Sequence, residues 1–161
     1  MPELQREKVV EMLAQGPPRI AAASAGIPPA DLRVSVEPGA WSANEVLAHL
    51  RACGDVWAGC IERIVAEERP TIRAMNPRTW IEKTDYLEQD FQRSLEAFTA
   101  QREALVELLS GLPGEAWSRA ATVTGAGKTL ERTVFAYAEW MATHERSHLK
   151  QIERMLPKPR L

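Results

Sequence analysis

The chain has 161 residues, of which 45% are hydrophobic and 26% are charged, and these are ordinary values for one globular domain spanning residues 1–161. Its formal net charge of −2, without any strongly basic run, argues against a nucleic-acid-binding protein, and no apolar run approaches the roughly 20 residues of a membrane span. Because the N-terminus is polar and lacks an apolar signal core, we predict a cytoplasmic protein.

The first predicted helix covers residues 4–13, where apolar positions recur with a helical period. The Gly-Pro-Pro run at residues 16–18 follows. Proline is unfavourable inside a helix because it has no N–H to donate and its ring clashes with the preceding turn. Two alternatives therefore remain for residues 19–25, a new helix that starts at an angle or the first helix continued through a kink. Residues 31–40 are predicted to be an irregular connection.

The second predicted helix has the clearest start in the chain. Ser42 is a favoured N-cap and Glu45 stands three residues later, which is the pattern of a capping box. Trp41 and Val46 are placed to pack on each other across this cap, and the helical period continues to Ile64. Capping therefore explains Glu45 without any chemistry.

Residues 69–80 are predicted to form a loop, because two prolines and an Asn-Pro step break any helix there. Arg73, Arg78 and Trp80 lie in this loop. Together they would recognise an anionic, partly apolar ligand or cofactor. The alternative is a solvated loop in which Trp80 packs onto the bundle.

The third predicted helix begins at a cap on Thr84 or Asp85 and ends before the Gly-Leu-Pro-Gly run at residues 111–114. Residues 115–117 are predicted to form a single turn, and residues 120–128 a small, polar connection. The last predicted helix begins at an N-cap on Thr129 and ends at Pro157. The tail (residues 157–161) is predicted to be frayed.

Four long helical segments without strand alternation predict an all-α fold. We expect a four-helix bundle of the up-down type with long connections. Bundles of this kind hold metal sites in their cores, built from side chains on facing helices.

The three histidines of the chain fall on two of these helices. His144 and His148, in a His-Glu-Arg-Ser-His run, are four residues apart and stack on one helical face. With His49 from a facing helix they would form a three-histidine metal site with open positions. The run is also a zinc-protease pattern, but the extended protease pattern fails because Gln151 and Arg154 stand where glycine and histidine are required.

Glu145 lies near the middle of the same apolar stripe, where an unpaired carboxylate is costly. We expect it to orient a ligand, to pair with an arginine, or to move a proton as a catalytic residue. Cys53, one turn after His49, would line a metal pocket, although free cysteine is usually a small buried hydrophobe. The alternative for the histidines is a set of half-buried side chains bonded to backbone or carboxylates.

Residues 41–50 (Trp-Ser-Ala-Asn-Glu-Val-Leu-Ala-His-Leu) and 144–152 (His-Glu-Arg-Ser-His-Leu-Lys-Gln-Ile) resemble the DinB/YfiT-like superfamily, and the resemblance covers nearly the whole chain. It implies a metal-binding bundle with His49, His144 and His148 as ligands of a divalent ion such as zinc or nickel. It also implies a homodimer that acts on a small-molecule substrate and uses a low-molecular-weight thiol. It does not imply DNA binding.

Three functional hypotheses follow. The first is a metal-dependent thiol S-transferase, isomerase or hydrolase. The second is a non-catalytic, metal-binding dimeric bundle with a stress-related or ligand-binding role. The third is a helical module in which the histidines serve packing alone.

Overall fold

Four long helices form the body of the molecule, and the predicted four-helix bundle is confirmed. In this computed structural model, which describes residues 3–157, the elements are, in chain order, α1 (Glu3–Ser24), α2 (Ala43–Ala66), β1 (Thr71–Arg73), α3 (Pro77–Ile81), α4 (Phe91–Ser110), β2 (Ala120–Thr124), β3 (Leu130–Thr133) and α5 (Val134–Met155). Apart from Pro157, the predicted frayed tail lies outside the described residues. No helix within residues 3–157 is long and apolar enough to cross a bilayer.

The order of the helices around the bundle differs from their order in the chain. α1 packs mainly against α4 and α5, and α2 packs against the same two helices. Consecutive helices such as α1 and α2, or α4 and α5, therefore stand at diagonal positions. Their connections, residues 25–42 and 111–133, run between these diagonal positions. This arrangement puts α2, which carries His49, directly against α5, which carries His144 and His148.

A small sheet, which the sequence analysis did not predict, closes one side of the bundle. β1 pairs in parallel with β2, and β2 pairs in the antiparallel sense with β3. The predictions of a plain loop at residues 69–80 and of a connection at residues 120–128 were therefore wrong. The strands have three to five residues, too few for alternation to be recognised against chance. Gly125 and Gly127 adopt positive φ in the turn between β2 and β3, where a side chain would be strained.

Two of the predicted helix starts were also wrong. The side chain of Asp90 caps α4 and that of Thr133 caps α5. Asp90 is six residues after Thr84 and five after Asp85, and Thr133 is four residues after Thr129. A short 3-10 turn follows Asp85, and β3 occupies the segment after Thr129. Each region contains several acceptable capping residues, so sheet pairing and packing decide which one is used. The single turn predicted at residues 115–117 is confirmed as part of a 3-10 helix, Gly114–Ser118.

α1 continues without interruption through its two prolines, which selects the second alternative for residues 19–25. Pro17 has no N–H, so the carbonyl of Leu13, four residues earlier, loses its helical donor. Arg102 of α4 replaces that donor, because its Nη1 donates a hydrogen bond to the Leu13 oxygen at 3.0 Å. The proline is tolerated because a neighbouring helix satisfies the acceptor that it leaves free.

The core consists of two apolar clusters with a polar layer between them. One cluster contains Leu13, Ile61, Leu105 and Met141, and the other contains Ile20, Leu47, Phe98 and Ile152, each among further apolar side chains. On α4 and α5 the polar layer lies where the helix passes from one cluster to the other. Its members include both partners of a buried ion pair and the histidines: Arg102, Glu145, His49, His144 and His148.

Candidate metal centre

α2 and α5 bring the three histidines together. The predicted capping box is confirmed at the start of α2, where Glu45 N donates to Ser42 Oγ and Ser42 N donates to the Glu45 carboxylate, both at 3.2 Å. This cap fixes the turn of α2 that carries His49. The ring centre of His49 lies 5.3 Å from that of His144 and 5.0 Å from that of His148, and the latter two are 4.7 Å apart.

The ring centres are spaced as in imidazoles that share one ion, and the donor atoms that lie within 4.8 Å of one another are those of His49, His144 and Cys53. Imidazole nitrogens that share a tetrahedral ion at roughly 2 Å hold their ring centres roughly 5 Å apart. Burial, followed by the neighbouring imidazoles and Arg78, lowers the pKa of His49 to about 4, and burial likewise lowers the pKa of His144 to about 4. Both rings are therefore neutral at pH 7, which is the form that binds a metal.

The third ring is oriented by a glutamine on its own helix. His148 Nδ1 lies 3.0 Å from Oε1 of Gln151. With the carboxamide oxygen assigned to this side, Nδ1 would donate to it and leave the lone pair of Nε2 for an ion. Metal-bound histidines in proteins usually have such a partner on the second nitrogen.

Cys53, which was predicted to line the metal pocket, lies in direct contact with His49. Its Sγ is 3.4 Å from His49 Nε2, and one donor atom each of His49, Cys53 and His144 lie within 4.8 Å of one another. Burial, and secondarily the charge of Glu145, raises the pKa of the Cys53 thiol to about 12. In the protein without an ion Cys53 is therefore a neutral thiol in hydrogen-bond contact with His49.

Glu145 pairs with an arginine on the side of α5 that faces α1 and α4. Its two oxygens accept hydrogen bonds from Nη1 and Nη2 of Arg102, both at 2.6 Å, and both side chains are almost fully buried. Of the three roles expected for Glu145, arginine pairing is the one that the geometry displays. A Cβ added at Gly16 of α1 would lie 2.6 Å from Glu145 Oε2, so α1 approaches the ion pair as closely as a glycine permits.

The family model of the DinB superfamily matches residues 12–152. The chain belongs to the DinB superfamily. This membership confirms the resemblance seen in residues 41–50 and 144–152. No curated protein matches the chain in sequence.

The fold of this DinB-superfamily protein matches the solved structure of YfiT from Bacillus subtilis, which is described as a probable metal-dependent hydrolase with an unusual four-helix bundle topology. The TM-score is 0.81, and the match covers 96% of this chain and 87% of that chain at 19% sequence identity. At that identity the likeness shows a shared fold alone.

Three tryptophans surround the histidines of this DinB-superfamily member. The ring centre of Trp57 lies 5.1 Å from His144, that of Trp140 stacks at 6.1 Å from His144, and that of Trp41 lies 5.1 Å from His49. The sequence analysis missed Trp57 and Trp140. Helical spacing could have placed both residues near the histidines, because Trp140 is one helical turn before His144 and Trp57 is two turns after His49.

The three residues predicted to bind a ligand are separated in the structure. The guanidinium carbon of Arg78 lies 5.4 Å from the ring centre of Trp41, beside the histidines. Trp80 instead donates its Nε1–H to Asp55 at 3.0 Å, which holds α3 on α2. Arg73 lies next to Gly125 in the turn after β2. Of the three, Arg78 is the one that the fold brings to the histidines.

Proposed function

We propose that this protein is a divalent-metal-dependent enzyme whose ion is held by His49, His144 and His148. The observation that supports this is the convergence of three imidazole rings from two helices at 4.7 to 5.3 Å. Buried ring nitrogens need partners. A single divalent ion would satisfy all three rings at once and would gain three neutral ligands.

A divalent ion with three imidazole ligands keeps its full charge and supplies Lewis-acid chemistry, lowering the pKa of a water or thiol that reaches it. The chain's own residues shape the surroundings of that chemistry. Trp41, Trp57 and Trp140 border the histidines with apolar ring surface, and Gln151 would orient His148. Arg78 adds a positive charge at the rim.

The position of Glu145 favours thiol transfer over hydrolysis. The glutamate of a His-Glu-x-x-His helix acts as general base when it faces the reacting water, but both oxygens of Glu145 are bonded to Arg102. A thiol has a pKa of about 8.5 and needs only a small shift to become a nucleophile, whereas water, with a pKa of about 15.7, needs a much larger one. We therefore propose a thiol-dependent S-transferase or isomerase. Hydrolysis, the activity ascribed to YfiT, is the alternative reaction.

Metal analysis tests the site. Protein purified without an affinity tag is expected to carry about one divalent ion per chain. His49→Ala, His144→Ala and His148→Ala should each lose most of that ion while circular dichroism shows unchanged helix content. Metal content that stays at the wild-type level in all three variants would rule the site out.

Turnover tests the reaction. Metal-loaded protein should consume a model electrophile such as 1-chloro-2,4-dinitrobenzene only when a small thiol is added, and a chelator should abolish the reaction. Ester cleavage without thiol, with no thiol-dependent turnover, would show the hydrolase alternative to be correct instead.

Cys53 favours a second candidate, the non-catalytic metal-stabilised bundle. If its sulfur completes a four-ligand set, the ion has no open position, as in structural zinc sites. Cobalt-substituted protein separates the two cases, because a thiolate ligand gives a near-ultraviolet charge-transfer absorption. The proposed enzyme predicts no such absorption. A strong band that disappears in Cys53→Ser would identify the closed, structural site.

A further inference from the structure

We propose that the substrate of this site carries a carboxylate that Arg78 binds, attached to an apolar or aromatic body that lies against the tryptophans. The inference rests on the proposed function, because it takes the histidine cluster as the centre of reaction. It assigns the substrate class and a specificity-determining residue.

Arg78 is placed at the rim of the histidine cluster by aromatic contacts. Its guanidinium stands 5.4 Å from the centre of the Trp41 ring. That ring in turn lies 5.1 Å from His49 and stacks at 6.4 Å on His148. Arg78 is exposed, so its N–H donors are open to a ligand that enters beside Trp41.

The positive charge of Arg78 has no acidic partner among residues 3–157, where no carboxylate lies within ion-pair distance of it. The acidic side chains nearest to the cluster along the helices have other partners. Glu45 is bonded to Ser42 in the capping box, and Glu145 is paired with Arg102.

Asp55, the acidic residue that holds α3 in place, is likewise occupied. It accepts hydrogen bonds from Trp80, Tyr86 and Gln101. A divalent ion on neutral imidazoles would therefore add its charge to that of an uncompensated arginine. An arginine fork in such a place binds a carboxylate through two parallel hydrogen bonds.

Arg78 is separated from the cluster by a single ring. Its guanidinium carbon lies 5.4 Å from the centre of Trp41, whose ring centre is 5.1 Å from that of His49 and 6.4 Å from that of His148. An anion bound to Arg78 would therefore interact with groups at the ion and would not be held at a remote surface.

The tryptophan rings beside the histidines are suited to the body of such a ligand. Trp57 and Trp140 meet edge to face at 5.8 Å, and both contact His144. Trp140 is 53% exposed, although it is a large apolar side chain. An exposed indole that borders a polar cluster offers a flat surface for an apolar or aromatic group.

Phenylacetate and its neutral analogue phenylacetamide test the inference without knowledge of the reaction. Binding is measured by isothermal titration calorimetry on full-length protein, both metal-loaded and chelator-treated. In both forms wild-type protein should bind phenylacetate about tenfold more tightly than Arg78→Gln does, since a charge-assisted hydrogen bond contributes about that factor. Phenylacetamide should bind both proteins equally. Lys83→Gln, which removes a positive charge five residues further along, should retain wild-type affinity for phenylacetate.

The outcomes separate this inference from the proposed function. One ion per chain, together with equal phenylacetate affinity in wild type and Arg78→Gln, would overturn the carboxylate inference and leave the metal site standing. No bound ion, together with Arg78-dependent phenylacetate binding in the chelator-treated protein, would overturn the enzyme and leave the anion site. Absence of phenylacetate binding at millimolar concentration would also overturn the carboxylate inference.

Discussion

Gly16 has no side chain, and the carboxylate of Glu145 occupies the space that a side chain would fill. A Cβ at Gly16 would lie 2.6 Å from Glu145 Oε2 and 3.2 Å from Arg102 Nη1. Both groups are buried and charged, so neither can move toward water without breaking the pair. The close approach of α1 to the ion pair thus explains a glycine at position 16, inside a helix.

Gly16→Ala is expected to lower the free energy of unfolding by about 2–4 kcal/mol, because it displaces one member of a buried ion pair. Urea denaturation followed by circular dichroism measures the change. Gly59→Ala is the matched control, since Gly59 is also helical and an added Cβ would meet no atom within 4 Å. It should stabilise the protein by up to about 1 kcal/mol. Equal denaturation midpoints for Gly16→Ala and wild type would contradict the packing described here.

The buried histidines make the stability of the metal-free protein depend on pH. The pKa of His49 and of His144 is lowered from 6.5 to about 4. Between these values the unfolded chain binds more protons than the folded one, so the free energy of unfolding falls as the pH falls from about 6.5 toward 4. Well above pH 6.5 these two groups do not make the free energy of unfolding depend on pH.

Urea titrations in chelator at pH 7.5, 6.0 and 5.0 test this dependence. The double variant His49→Ala, His144→Ala should lose less stability than wild type between pH 7.5 and 5.0, because carboxylates titrate similarly in both proteins. Parallel losses in the two proteins would mean that the imidazoles are not held neutral by the fold.

At the scale of elements, the Arg102–Glu145 pair joins three helices. Arg102 belongs to α4, Glu145 to α5, and the same guanidinium donates to the Leu13 carbonyl of α1. The Leu13 carbonyl lacks a helical donor only because Pro17 has no N–H, so the hydrogen bond from Arg102 compensates for the proline. Glu145 directly follows His144 in the chain. Its bond to Arg102 therefore also fixes the rotation of α5 about its axis and directs His144 toward α2.

Removing one member of this ion pair is expected to destabilise the protein more, per residue changed, than replacing both members with apolar side chains. Arg102→Met or Glu145→Met should each cost about 3–5 kcal/mol, since each leaves one charge buried without a partner. The double variant should lose clearly less than the sum, by at least about 1 kcal/mol. Urea denaturation of the four proteins gives this coupling energy. Strictly additive losses would show that the two groups do not act as a pair.

Helix starts that depend on neighbouring residues alone could be predicted from the sequence. Those that depend on residues distant in the sequence could not. The start of α2 follows from Ser42 and Glu45 alone, and the same amphipathic pattern placed His49 on the inner face. The start of α5 depends on β3, which pairs with β2, and β2 is too short to recognise by itself. The partner of Glu145 was foreseen as an arginine, but its identity depends on helix order, which the sequence does not reveal.

At the scale of the whole molecule, the polar layer lies between two apolar clusters, and this position links metal binding to folding. The layer draws its side chains from three of the long helices, α2, α4 and α5, with Gly16 of α1 packed against it. An ion held between α2 and α5 would bind the folded protein and not the unfolded chain, since His49 is 95 residues before His144 in sequence. The homodimer expected from the family resemblance remains a prediction, which sedimentation of the metal-loaded protein would test.

Removing the ion should therefore destabilise the entire bundle. At a free-ion concentration about 100 times the dissociation constant, binding adds about 2.7 kcal/mol to the free energy of unfolding. The melting temperature of wild type should rise with zinc concentration and fall when a chelator is added. The triple variant His49→Ala, His144→Ala, His148→Ala should melt at one temperature in both conditions. A wild-type melting temperature unaffected by zinc and chelator would mean that the three imidazoles serve packing alone, because an ion bound only by the folded state must stabilise it.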